Sequence, residues 1–220
     1  MYNVAIDGPA GAGKSTIARK IAKKLGYIYV DTGAMYRAMA LACIRNGVNK
    51  EDEQAVIKVC SDISVTITYE GDSQIVMLNG ENVNNYIRTE EVGNTASAIS
   101  VYKDVRLKLL ELQRDLAKEN NVIMDGRDIG TYVLPDAFVK IYLTASSRTR
   151  AQRRYLELKE RGVEANIDEI EKDIIDRDYR DMHREIAPLS QAEDAILVDT
   201  SDMGIDEVVE HIINIIEDRK

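Results

Sequence analysis

Gly8-Pro9-Ala10-Gly11-Ala12-Gly13-Lys14-Ser15 fits the pattern G-x-x-x-x-G-K-[ST] and stands between an apolar run, Val4 to Ile6, and a stretch of helical character, Thr16 to Leu25. Strand, glycine-rich turn and helix in that order are the context the pattern requires. The glycines let the backbone curl so that successive N–H groups point inward at phosphate oxygens, and the following helix adds the positive end of its dipole. Gly8, Pro9, Ala10, Gly11, Ala12 and Gly13 would cradle the phosphates, and Lys14 would bring a compact charge to the outer ones. The Ser15 hydroxyl is the expected Mg²⁺ contact, with Thr16 beside it as a second hydroxyl for the phosphate chain. With no nucleotide bound, Lys14 is expected to face solvent. The stretch implies nucleoside triphosphate binding, where a bare glycine-rich turn would imply nothing.

Working outward, short apolar runs recur at Asn3 to Asp7, Tyr27 to Asp31, Val122 to Asp125, Phe138 to Thr144 and Ala195 to Asp199, with stretches of helical length between them. That rhythm predicts an α/β fold with five parallel strands flanked by helices. Four of the five runs end in Asp. Ligands bind beyond the carboxyl ends of such strands, so the acids collect near one edge of the sheet. Ile63 to Tyr69 and Gln74 to Asn79 alternate apolar and polar residues around Glu70-Gly71-Asp72-Ser73 and predict an antiparallel hairpin. Because it falls between the second and third parallel runs, the hairpin is expected in a small module inserted into a single domain spanning 1–220.

The 220 residues carry 29 Lys+Arg and 38 Asp+Glu, a net charge of −9, which disfavours sequence-independent binding to nucleic acid or an anionic membrane. Any anion must be held locally. The longest uncharged, largely apolar run of the N-terminal half, Ala38 to Ile44, falls far short of the ~20 residues of a membrane span. Asp7 and Lys14 interrupt the stretch where the apolar part of a secretory signal would sit. Cys43 and Cys60 lack metal-site spacing and read as reduced thiols of a cytoplasmic protein. An acidic surface and a self-contained fold lead us to expect a monomer.

Val122-Ile123-Met124-Asp125 has the apolar-run-then-acid form whose carboxylate holds Mg²⁺, directly or through water. Asp128 follows in Asp125-Gly126-Arg127-Asp128, an expensive cluster unless a ligand uses it. Arg150, Arg153 and Arg154 are expected on one helix face, and Arg180 and Arg184 as another like-charged pair, which an incoming polyphosphate would relieve. Arg177 and Asp181 read equally well as a surface ion pair. A GTP-driven switch is the rival class, since Asn49-Lys50-Glu51-Asp52 matches the guanine-reading pattern N-K-x-D. It follows a loop rather than a strand and no D-x-x-G occurs, so Asn49 or Asp52 is expected to cap a helix instead. His183 and His211 are expected to face solvent, and the apolar positions of Val208 to Ile216 to pack into the core.

Four motifs in order, Ile6-Asp7-Gly8-Pro9, Asp31-Thr32-Gly33-Ala34-Met35-Tyr36-Arg37, Asp125-Gly126-Arg127-Asp128-Ile129-Gly130-Thr131, and Arg177-Asp178-Tyr179-Arg180-Asp181 through Arg184 to Pro188-Leu189, make the chain resemble the bacterial-type cytidylate kinases of the P-loop nucleoside monophosphate kinase group. The resemblance covers nearly the whole chain. It implies a five-stranded parallel core, an inserted monophosphate-binding module over about 63–100 and a short helical lid over 148–161. It also implies ATP and cytidine monophosphate or its deoxy form as substrates, with Mg²⁺. By motif position, Thr32, Arg37 and Arg127 would hold the acceptor phosphate, and Ser97, Arg106 and Asp128 would read cytosine. Arg177, Asp181 and Arg184 would contact the sugar and neighbouring phosphates. Lys14, Arg127, Arg153 and Arg154 would serve the transferring phosphoryl group, and Ser15 and Asp125 the metal. Thr32 stands where the family often has Ser, and Ser15 where many members have Gly. A uridylate or broad pyrimidine monophosphate kinase, or a nucleotide-binding regulator without turnover, is the alternative.

Overall fold

Val4, Ala5 and Ile6 are wholly buried, as a central parallel strand covered on both faces requires. The computed structural model describes residues 1–71, 73–160 and 162–220. Strand β1 (Asn3–Asp7) leads through the phosphate-binding loop into α1 (Lys14–Leu25), and β2 (Ile28–Asp31) leads directly into α2 (Thr32–Arg45). Helix α3 (Glu53–Asp62), strands β3 (Val65–Glu70), β4 (Ser73–Leu78) and β5 (Glu81–Asn82), and helices α4 (Glu90–Ile99) and α5 (Lys103–Glu119) precede β6 (Val122–Gly126). A π-helical turn (Ile129–Val133), β7 (Val139–Thr144), the helices α6 (Ser147–Glu160) and α7 (Ile167–His183), β8 (Ile196–Asp199) and α8 (Ile205–Glu217) follow.

The five expected parallel strands form one sheet in the order β2-β6-β1-β7-β8. Central β1 pairs with β6 on one side and β7 on the other. The order reverses around β1, which opens a crevice beyond the strand ends where the phosphate-binding loop lies. One apolar core joins the sheet to α1 and α8 through Ile6, Ile17, Ile21, Val209 and Ile212. A second, on the opposite face, joins it to α2 to α5 and the small sheet through Met35, Met39, Ile87 and Leu109. Val208, Val209, Ile212, Ile213 and Ile216 are buried as the pattern of α8 predicts, and His183 and His211 are exposed. No helix among the described residues is long and apolar enough to cross a membrane.

The expected hairpin is present, with Val65 opposite Leu78 and Glu70 opposite Ser73, and a two-residue third strand that the alternation did not reveal extends it. Asp72 of its turn, and Arg161 at the end of the expected lid segment, lie outside the described residues. Asp52 caps α3 by accepting from Ala55 N at 3.1 Å, and Asn49 Oδ1 accepts from Glu51 N, so this stretch serves a helix start. Two arginine groupings differ from expectation. Arg180 is exposed near the end of α7, whereas Arg184 lies beyond the helix in extended backbone and is buried, so the two share no helix face. Arg150 is only 5% exposed. Its guanidinium donates to Ala145 O and Ala10 O, both at 2.9 Å, and pairs with Asp178 at 2.7 Å, tying α6, α7 and the loop together. Cys43 and Cys60 remain separate thiols, 3.9 Å apart.

The small sheet meets the parallel sheet at its β2 edge through side chains. Gln74 Oε1 accepts from Asp31 N at 2.9 Å and its Nε2 donates to Asp31 O at 3.2 Å, so one amide imitates a neighbouring strand. Tyr69 adds a hydroxyl bond to Tyr29 O at 3.2 Å. An edge strand left with unpaired backbone groups is a liability, and this one is closed by a few polar side chains. Replacing Gln74 by Ala leaves two backbone groups of Asp31 without these partners. The expected result is a destabilisation of roughly 1–3 kcal/mol, read as a lower urea midpoint at unchanged slope.

Candidate active site

Gly8 begins the loop at a φ of 146°, and a Cβ built there would lie 1.9 Å from Leu143 O, so only glycine permits this exit from β1. Gly13 offers no side-chain cap to α1, leaving the helix's first N–H groups directed at the crevice for an anion. Lys14 does not face solvent. It is 5% exposed and its ammonium folds back to donate to Pro9 O at 2.7 Å. The loop thus wraps around its own lysine. Burial, and then repulsion from Arg127, lower the Lys14 pKa against the pull of Asp125 and Asp7. Ser15 follows half-buried, and Thr16 is exposed.

Asp125, at the end of β6, is 4% exposed. Ser15 Oγ donates to its Oδ2 and the Tyr29 hydroxyl to its Oδ1, both at 2.9 Å. The hydroxyl of Thr32 donates to the Asp125 carbonyl at 2.7 Å, which fixes the start of α2 against β6 rather than directing that hydroxyl toward a ligand. Burial, then the neighbouring Asp31, push the Asp125 carboxyl up to about 6, against Lys14 and its two hydroxyl donors.

Next along the sheet edge lies a group of arginines. Arg88 pairs with buried Asp31 at 2.8 Å, while Asp31 also caps α2 by accepting from Ala34 N. Although burial acts upward, Arg88 and Arg37 hold the Asp31 carboxyl below its ordinary value. Arg127 donates from Nε to Asp181 at 2.9 Å, and Arg177 lies 3.9 Å from the same carboxylate. Burial and the proximity of Arg127 lower Arg177 to about 10. The pair Arg177–Asp181 is thus no surface ion pair: Asp181 is buried and shared. Among the described residues, Arg88 pairs with Asp31, Arg127 and Arg177 with Asp181, and Arg37 lies near Asp31, a local gathering of positive charge in a chain of net charge −9.

Asp128 is 5% exposed and sits between Arg106, in direct contact, and Arg184, at 3.2 Å. Arg106 also donates to Ser100 O at 3.1 Å and lies over the Tyr36 ring. Ser97 is half-buried one turn before, where its carbonyl accepts from Ser100. Arg184 is held by Ala187 O at 2.7 Å. Asp128 therefore does not serve to hold Arg127, whose partner is Asp181. On the other flank, Arg153 donates to Thr200 O at 2.7 Å and Thr200 Oγ1 at 3.2 Å, with its Nη1 4.0 Å from where a Cβ on Gly13 would lie. Arg154 pairs with Glu157 near solvent and is not drawn to the loop. The sequence reading missed Tyr29 and Arg88, since a tyrosine within an apolar strand and an isolated arginine carry no motif.

The model of the cytidylate kinase family matches residues 4–218. The chain belongs to the cytidylate kinase family. It is 50% identical to a cytidylate kinase of Caldicellulosiruptor saccharolyticus over 97% of this chain and 94% of that one. Identity is also 50% to one of Lactobacillus johnsonii over 100% and 96%. It is thus an enzyme of the nucleoside monophosphate kinase class. Among solved structures, an uncharacterized protein of Eubacterium ventriosum aligns over 99% of both chains with a TM-score of 0.56 at 12% identity. A gluconokinase of Sinorhizobium meliloti aligns over 99% and 92% with a TM-score of 0.51 at 13% identity. These two share the fold.

A raised carboxylate pKa means that folding takes up protons at this site between about pH 4 and pH 6. Stability held by the protonated form is present at acid pH and lost as pH rises through about 6. Charged Asp125 therefore costs the nucleotide-free fold roughly 1–3 kcal/mol at neutral pH. Asp125→Asn is expected to raise the melting temperature at pH 8 by several degrees, at about 2–4 °C per kcal/mol, while turnover falls. The gap in melting temperature should close toward pH 4.

Proposed function

We propose that this chain transfers the γ-phosphoryl group of ATP to cytidine monophosphate, giving ADP and cytidine diphosphate, with deoxycytidine monophosphate as a second acceptor. The observation that carries this reading is that three kinds of group stand together beyond the strand ends: a glycine-rich loop around Lys14, a group of arginines steadied by Asp31 and Asp181, and a buried carboxylate flanked by two arginines. A nucleoside monophosphate phosphorylated from a triphosphate needs a counterpart for each of its parts: an anion next to the triphosphate, a sugar and a base.

An acceptor phosphate oxygen attacks the γ-phosphorus as the bond to the β-bridging oxygen breaks, and the electron pair leaves with ADP. The nucleophile is already an oxyanion, so no side chain need activate it, and catalysis consists of positioning and charge neutralisation. Arg37, Arg88 and Arg127 would grip the acceptor phosphate, held in readiness by Asp31 and Asp181. Lys14 would exchange the Pro9 carbonyl for the outer phosphates. Arg153 would leave Thr200 for the transferring group as the 148–161 lid and the 63–100 module close, excluding water that would otherwise hydrolyse ATP. Arg154, paired with Glu157, would follow only by a larger movement.

Ser15 and Asp125 present hard oxygen donors 2.9 Å apart, a set that fits Mg²⁺, which keeps most of its shell as water and phosphate oxygen. When bound, the ion neutralises charge on the outer phosphates. Its residues of attachment would be the Ser15 oxygen, which donates its hydrogen bond to Asp125, and Asp125 itself, directly or through water.

Cytosine offers an amine where uracil offers a carbonyl. Asp128 would accept from the amine, and Arg106 would donate to the ring's acceptor side. Uracil there would set a carbonyl lone pair against a carboxylate, at about 1–3 kcal/mol for each group left unpaired. The expected kcat/KM for cytidine monophosphate exceeds that for uridine monophosphate by roughly tenfold to a hundredfold or more. Asp128→Ala should collapse that ratio; equal losses on both substrates would reassign Asp128 to holding Arg106 and Arg184. Lys14→Ala is expected to lower turnover by about 10²- to 10³-fold. Its melting temperature should not fall below the parent's, because burial already disfavours the ammonium. Turnover close to the parent's would remove the loop from the mechanism.

A further inference from the structure

The π-helical turn Ile129–Val133 begins immediately after Asp128, which stands at its N-cap position with φ −145° and ψ 25°. The Asp128 carbonyl accepts from Tyr132 N at 2.9 Å and Val133 N at 3.1 Å, as a cap residue's carbonyl does. An aspartate at that position ordinarily turns its carboxylate back onto the first free N–H groups of its own helix. Asp128 makes no such bond. Those N–H groups are taken from another strand: Ile129 N donates to Asp7 Oδ1 at 2.8 Å and Gly130 N to Asp7 Oδ2 at 2.7 Å. Asp7, at the end of β1, is 5% exposed and gives both of its oxygens to this turn. A Cβ on Gly130 would lie 3.4 Å from Asp7 Oδ2, an ordinary contact, and 3.2 Å from Lys140 Cδ, so a side chain there would press mainly on Lys140.

We propose that Asp7 is a positioning residue for acceptor recognition: by capping the 129–133 turn from β1 it releases the Asp128 carboxylate to face Arg106 and Arg184. Two carboxylates compete for one set of N–H groups, and the one next to the phosphate-binding loop wins. Without Asp7 as a full acceptor, Asp128, standing at the cap position of the same turn, can accept from Gly130 N, and turning to do so takes it away from the two arginines. Asp7 adjoins Gly8, so the segment that faces the acceptor is fixed to the strand that presents the phosphate-binding loop. The inference rests on the reading of Asp128 as the base-contacting carboxylate and adds why that carboxylate is available.

The variant is Asp7→Asn, which keeps the shape and one acceptor oxygen but sets an amide N–H₂ against the second backbone N–H. KM for cytidine monophosphate is expected to rise about tenfold, the equivalent of ~1.4 kcal/mol, with KM for ATP within roughly twofold of the parent. The preference for cytidine over uridine monophosphate should fall with it. A double-mutant cycle separates this from general loosening: in the Asp128→Ala background, Asp7→Asn should change that preference no further. Losses that add, or a parent-like KM and preference in Asp7→Asn, overturn the proposal. The parent alone supplies a second measurement, since the Ile129 and Gly130 amides should exchange slowly without any ligand; fast exchange overturns it equally. Should the parent fail to discriminate between the two monophosphates, the base-reading assignment falls by itself. The crystal structure of Asp7→Asn would then decide the Asp7 claim, through whether Asp128 has turned onto Gly130 N.

Discussion

A carboxylate taken from water into a protein interior must find donors for its oxygens or become protonated, and three of the parallel strands here end in one. Asp7, Asp31 and Asp125 are each no more than 5% exposed. Each is satisfied differently. Asp7 takes two backbone N–H groups, Asp31 an N–H and a guanidinium, and Asp125 two hydroxyls. The kinds of donor account for the different pKa directions. Arginine charge holds Asp31 low, whereas neutral donors do not offset burial at Asp7 and Asp125, both raised to about 6. A parallel sheet collects its strand ends on one edge, so the fold itself concentrates this unfavourable chemistry in one place.

That concentration explains how the rest of the molecule is tied together. The donors that satisfy these acids come from distant parts of the chain: Arg88 from beyond the small sheet, Ser15 from the phosphate-binding loop and Ile129 from the π-helical turn. Each pairing therefore also fixes a segment that faces the crevice. Arg127 and Asp181 join the end of β6 to α7 in the same way, and Arg150 joins the loop to α6 and α7. Buried ion pairs are weak evidence for stability, because desolvation cancels much of their attraction. Here they set the direction of guanidinium groups before a ligand arrives, which lowers the ordering cost of binding one.

The parallel strands, the phosphate-binding loop and the hairpin were legible in the sequence because each is written in consecutive residues: apolar runs ending in Asp, the glycines of residues 8–13, the alternation of Ile63 to Tyr69 and Gln74 to Asn79. Motif spacing also picked out candidate residues that the structure brings near one another beyond the strand ends. Who pairs with whom was not legible. Arg127 stands beside Asp128 in the chain, yet the backbone turns between them, so that one side chain reaches Asp181 and the other reaches Arg106 and Arg184. Arg150, Arg153 and Arg154 fall within two turns of one helix and read alike. Packing against Ala10 and Asp178 buries the first, Thr200 holds the second, and only the third keeps a solvent-side partner. Arg184 follows the same logic, since helix α7 ends one residue before it and removes it from the face it would share with Arg180.

The arginine group shows how an acidic protein can gather positive charge in one place. Long-range attraction is absent at a net charge of −9, so affinity has to come from charges within a few ångströms, in a setting where water screens them little. Arg37, Arg88, Arg127 and Arg177 gather around the carboxylates of Asp31 and Asp181, which concentrates positive charge at the crevice. A larger excess would resist folding further, since burial and then the repulsion of Arg127 already lower Arg177 to about 10. The aspartates thus set both the amount of positive charge and the direction in which it points.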